Sequence, residues 1–144
     1  MKIAFASTDN IHVNQHFGWC KEFYIYEIIE DSYNFVKSVD SSIEISDEIE
    51  KLTYKIECLE DSDILYVLQI GPKASRMVQS CKIFPMQSSK ENEKIEDILN
   101  LLIKMKDLLL LFHFHQIHNT QKIYLKNILS ILDFFLQTRS YIQF

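Results

Sequence analysis

Glycine and proline are nearly absent from this 144-residue chain, at two residues each. Each therefore stands out as punctuation: Gly18 lies in a polar loop, and Gly71-Pro72 closes an apolar run. Cysteine is sparse as well. Cys20, Cys58 and Cys81 form an odd, widely spaced trio, which fits reduced thiols and not a disulfide framework. No apolar run approaches a membrane span of roughly 20 residues, and Met1-Lys2 leads straight into a strand pattern without the features of a signal peptide. A cytoplasmic protein without a membrane partner is expected. There is no Lys/Arg cluster, and a formal net charge of -5 argues against nucleic acid as a partner. What is present, 47% hydrophobic and 24% charged residues, suits one domain with a self-sufficient core and an appendage.

The periodicities predict an α/β fold. Strands are expected near 2–8, 23–29, 33–39, 63–70 and 82–86, the fourth being a near-continuous apolar run of the kind that is covered on both faces. Strands two and three should pair antiparallel through the turn Glu30-Asp31-Ser32. Ser46 is a candidate cap for a helix bearing Ile49, Leu52, Ile56 and Leu59 on one face, and Pro72 is pre-set for the first turn of a helix over 73–80. Ser88 with Glu91 reads as a capping box before a third helix with the stripe Ile95, Ile98, Leu99, Leu102 and Ile103. Three strands followed by alternating helices and strands give a single domain with a five-stranded mixed sheet flanked by helices.

The densest chemistry lies in Val13-Asn14-Gln15-His16-Phe17-Gly18-Trp19-Cys20, a loop between the first two predicted strands. His16 and Cys20 are ligand types suited to iron, and Gly18 lets the backbone turn tightly or approach a bulky guest. Each has a plainer reading: His16 as a solvated side chain, Gly18 as a turn, Cys20 as a small buried residue beginning the second strand. Phe17 and Trp19 read either as a shield for a guest or as core and interface anchors. Cys58 and Cys81 both fall on helical apolar sides and read as packing residues. Near Gly71, Lys73 and Arg76 supply positive charge to the start of a helix, or simply solvate its face.

Two blocks carry a resemblance. Residues 1–26, with Val-Asn-Gln-His-Phe-Gly followed by Phe-Tyr-Ile-Tyr-Glu, are similar to the nitrogenase cofactor-carrier family that includes NifX, NafY and the C-terminal domain of NifB. Residues 63–78, from Asp63-Ile64-Leu65-Tyr66 through Ile70-Gly71-Pro72 to Met77-Val78, resemble that family's later strand, turn and helix, and Ile83-Phe84-Pro85-Met86 its next strand. The likeness spans about residues 1–106. It implies a ribonuclease H-like topology and a non-enzymatic carrier of the iron-molybdenum cofactor or its precursor iron-sulfur cluster. Nitrogenase cofactor assembly proteins or apo-dinitrogenase would then be the partners. His16 becomes the expected metal ligand, with Cys20, Phe17, Gly18 and Gly71 around the cofactor.

Two other functions compete with this expectation. One is a metal-dependent hydrolase of ribonuclease H type using carboxylates such as Asp9, Asp40 and Asp63, which also read as turn and cap residues. The other is an interaction module that docks on an assembly protein through exposed aromatics such as Trp19, without touching cofactor.

From about residue 107 the composition shifts. The last 38 residues hold 3 of the 15 Lys/Arg and 2 of the 20 Asp/Glu, and their apolar residues keep to no single helix face. The resembled family often carries a proline-rich stretch here, and CCT proline codons read one base later become CTC leucine codons. Residues 107–144 are therefore expected to be a frameshifted extension. Of the histidines His113, His115 and His118 within it, two on one strand face or two at helical spacing are a candidate metal pair of low specificity.

Overall fold

A computed structural model describes residues 1–105. The readings made on residues 106–144, the composition shift, the histidines and the frameshift, lie outside the described residues.

Residues 1–105 form an α/β domain. Its elements are β1 (Lys2–Ala6), β2 (His12–Val13), a 3-10 turn (Phe17–Trp19), β3 (Glu22–Ile29), β4 (Ser32–Asp40), α1 (Glu48–Glu57), β5 (Ile64–Val67), α2 (Pro72–Ser80), β6 (Phe84–Gln87), β7 (Glu93–Lys94) and α3 (Ile95–Lys104). The main sheet has the order β4-β3-β1-β5-β6. β1 runs antiparallel to β3 and β3 to β4, whereas β1–β5 and β5–β6 are parallel pairs that need the crossovers supplied by α1 and α2. The five expected strands are all present, each ending within a few residues of its predicted place.

Alternation along the strands divides two apolar faces. Ala4, Ala6, Phe23, Ile25, Leu65 and Val67 join Leu52 and Ile56 of α1 and Ala74 and Val78 of α2 in one buried cluster. Phe5, Tyr24 and Tyr66 are cross-strand partners on the opposite face, where Phe5 also stacks edge-on against Tyr26 at 5.8 Å. β5 is buried at all four positions, as its unbroken apolar sequence requires.

Local details differ from expectation in four places. Asp47, not Ser46, caps α1, because its carboxylate accepts from Glu50 N at 2.9 Å. The buried stripe of α1 starts only at Leu52, and Ile49 in the first turn is 53% exposed. The Ser88/Glu91 capping box does not form. Ser88 Oγ instead lies 2.6 Å from Lys90 O and 2.7 Å from Glu93 Oε2, and the chain makes the two-residue strand β7 against β2 before α3 begins. Finally, Cys81 is exposed, since α2 stops at Ser80 and Lys82 adopts a left-handed φ of 62° that turns the chain away.

Candidate functional site

Side-chain caps, more than strand ladders, hold the segment between β1 and β3. Asp9 accepts from the backbone N–H groups of Ile11 and His12, both at 2.9 Å, and from Ser7 Oγ at 3.0 Å, while its other oxygen lies 2.8 Å from His12 Nδ1. These donors, the His12 ring foremost, hold its carboxyl far below the usual carboxylate range. Asn10 takes a left-handed φ of 57°, tolerable for asparagine, and its side chain accepts from Tyr26 OH at 2.9 Å. Asn14 closes a reciprocal pair with Thr8, accepting from its N–H at 3.0 Å and donating to its hydroxyl at 2.8 Å.

The next residues dock beyond the end of β5. Leu68 N donates to Gln15 O at 3.0 Å and Phe17 N to Gln69 O at 2.9 Å, making His16 and Gln69 a parallel β-bridge. The chain then coils into the 3-10 turn, in which Trp19 N and Cys20 N both donate to His16 O, at 3.2 and 2.9 Å. Three residues per turn eclipse positions i and i+3, so Trp19 falls over His16. Their rings are stacked at 5.0 Å with an interplanar angle of 7°. Trp19 is 72% exposed and His16 half-buried. Among the described residues none hydrogen-bonds to the ring nitrogens of His16.

Phe17 and Cys20 point the other way. Both are wholly buried, and the Phe17 ring packs 5.9 Å from that of Phe23. Both side chains belong to the apolar cluster, the plainer of the two readings each had in the sequence. The Cys20 thiol donates to Glu22 O at 2.9 Å, and burial pushes its pKa up to about 11, so the thiolate form needed for metal binding is disfavoured. Lys55 is an unexpected neighbour. Its ammonium, buried on α1, donates to the carbonyls of Cys20 and Ser41, the latter at 3.1 Å, and Ser41 Oγ adds a bond to Cys20 O at 2.9 Å. Burial lowers the pKa of this lysine.

Gly71 lies two residues beyond Gln69 and is the N-cap of α2, accepting the first helical bond from Ser75 N at 2.9 Å. A methyl group placed on Gly18 or Gly71 would meet nothing within 4 Å, and neither has a positive φ. Both glycines therefore border open space and relieve no strain. Lys73 is exposed and pairs loosely with Glu48 at 3.8 Å, and Arg76 is exposed.

The carboxylates weighed for hydrolysis are engaged separately. Asp9 staples its loop, Asp40 accepts from Ser42 N at 2.8 Å, and Asp63 accepts from Lys2 N at 2.8 Å where β1 meets β5. Among the described residues no group of three or more His, Cys, Asp or Glu side chains is placed to hold a metal ion. Also among the described residues, no helix is long and apolar enough to cross a membrane. Sequence reasoning missed the Asp9–His12 pair, Gln69 and Lys55. The Asp-x-x-His spacing was a usable signal for the first, whereas a lysine on a helix reads as solvated until its burial is seen.

Comparison with known proteins agrees with the resemblance. Residues 1–105 match the family model described as dinitrogenase iron-molybdenum cofactor. Among curated relatives, protein NifX of Herbaspirillum seropedicae is 33% identical over 111 residues, 76% of this chain and 73% of that protein. Protein NifX of Klebsiella pneumoniae is 37% identical over 78 residues, 54% of this chain and 50% of that protein. A solved NMR structure of a putative dinitrogenase from Methanococcus jannaschii superposes with a TM-score of 0.52 at 20% identity, covering 74% of this chain and 89% of that one, and supports the fold.

Proposed function

Since the chain belongs to the dinitrogenase iron-molybdenum cofactor family, we propose that it is a non-enzymatic carrier that holds the iron-molybdenum cofactor or its precursor iron-sulfur cluster during nitrogenase cofactor biosynthesis. The observation that carries this reading is the His16–Gln69 bridge. It brings the His-Phe-Gly turn and the Ile70-Gly71-Pro72 helix start together at the carboxyl end of a parallel strand, the usual ligand location in α/β sheets.

His16 is the principal ligand in this reading. Its imidazole is partly exposed, its direction is fixed by the turn, and a single imidazole suits cargo that must be released to an acceptor better than a closed four-ligand cage does. Gly18 and Gly71 leave room on either side for a large guest. An anionic cluster is favoured by the free N–H groups at the start of α2, with Lys73 and Arg76 nearby in sequence. Cys20 and Phe17 act beneath the turn as anchors.

The strand order, three antiparallel strands joined to two parallel ones, supports a ribonuclease H-like reading of the topology. Its hydrolytic chemistry is not favoured, because Asp9, Asp40 and Asp63 each have a structural task. Assembly proteins or apo-dinitrogenase are the partners this role requires, in the cytoplasm. We read residues 107–144 as a frameshifted extension; the nucleotide sequence tests this, and an alternative frame without a proline-rich segment would dismiss it.

Anaerobic gel filtration of the full chain with isolated iron-molybdenum cofactor tests the carrier role. Wild type should co-elute with iron and molybdenum, and His16→Ala should lose both while melting at an unchanged temperature. Equal metal retention by the two proteins removes His16 from the mechanism. A pure docking module would retain neither metal in either form.

A further inference from the structure

We propose that Trp19 is a positioning residue for metal ligation, a plate that fixes the plane of the His16 imidazole. The inference rests on the carrier reading of His16 and adds to it a second residue. Imidazole ligates through a lone pair in the plane of its ring, whereas stacking occupies the perpendicular face. The near-parallel Trp19 indole, 7° from the His16 plane with centroids 5.0 Å apart, therefore restricts the ring without covering its nitrogens.

A stack built only to stabilise the fold would be buried, as that of Phe17 and Phe23 is. Trp19 leaves 72% of its surface to solvent, where an indole gains little by packing on one small ring. Backbone geometry places it there: the bonds from Trp19 N and Cys20 N to His16 O close the turn, and buried Phe17 and Cys20 anchor it from below. Gly18, the residue between them that is neither anchor nor plate, keeps the adjoining side open. Without the plate the imidazole turns freely about its side-chain bonds, and this freedom must be lost on binding. That cost appears as weaker affinity.

The test titrates isolated iron-molybdenum cofactor anaerobically into full-length wild type, Trp19→Ala, Trp19→Phe and His16→Ala, with thermal melting of each. Trp19→Ala should bind about three- to tenfold more weakly, the range expected for immobilising one side chain on binding. Trp19→Phe, which restores a plate, should stay within about twofold of wild type. Both should melt as wild type does. If Trp19→Ala binds as tightly as wild type while His16→Ala loses the cofactor, the plate is wrong and the carrier reading stands. Equal weakening in Trp19→Ala and Trp19→Phe also overturns it, since stacking would not be the indole's contribution. Unimpaired binding by His16→Ala overturns the proposed site itself, and the plate with it.

Discussion

The ammonium of Lys55 donates to the backbone carbonyl of Cys20, tying the last turn of α1 to the end of the turn that carries His16. Ser41 O accepts from the same ammonium, so one buried cation joins three segments. Lys55→Met keeps the length and removes the donor. We expect a loss of about 1–3 kcal/mol in urea unfolding, because two buried carbonyls lose a charged partner although the cost of burying the charge is relieved. Lys55→Arg should be no better, its planar fork having no room where Lys55 is 2% exposed. Stability of the Met variant equal to wild type would show that the ammonium contributes nothing net.

Acid should loosen the loop before the sheet. The Asp9 carboxyl titrates far lower folded than its unfolded value of about 3.9, so its contribution is fully present above that value and fades as pH falls towards the folded one. Amide protection factors at Ile11 and His12, which donate to Asp9, should drop below about pH 4 while those of β5 persist. Uniform loss across the domain would contradict this order. Asp9→Asn should lower the same two protection factors already at neutral pH.

Thiol labelling should rank the three cysteines by burial. Cys81 is exposed, whereas Cys20 is wholly buried with its pKa pushed up to about 11, and burial also raises Cys58. Iodoacetamide at pH 8 should therefore modify Cys81 in the folded protein and reach the other two only after unfolding. Rapid carbamidomethylation of Cys20, read by peptide mass, would place its thiol at the surface.

Truncation after Lys106 should leave a folded domain. Residues 1–105 already contain the five-stranded sheet and three helices, with buried residues on both faces of β5. Urea unfolding of the shortened chain should remain a single cooperative transition. Loss of cooperativity would mean that later residues complete the core.

The repeating patterns were legible in the sequence, and the single events were not. β1, β3, β4, β5 and β6 announce themselves through alternation or unbroken apolar runs, and the Gly71-Pro72 stop sets the start of α2. β2 and β7 are two residues long, too short for any periodicity, and exist because the chain passes beside itself. That same pairing displaced the expected capping box at Ser88. His16 and Gly71 were visible as separate candidates, but the bridge through Gln69 that makes them neighbours is tertiary. Cys20 was a ligand candidate by residue type and spacing, which say nothing of its burial. A 3-10 turn puts residue 19 over residue 16 and sends residues 17 and 20 inward, and this geometry separates Cys20 from His16 despite their closeness in sequence.

Trp19 is the chain's single tryptophan. All of the indole fluorescence of this protein therefore comes from one ring lying against one imidazole. Excited to the red of tyrosine absorption, steady emission intensity is in effect a local measurement, unmixed with signal from the core. On the proposed carrier reading, arrival and departure of cargo beside His16 can be timed by stopped-flow optics on the unlabelled chain, turning a question of affinity into one of residence time.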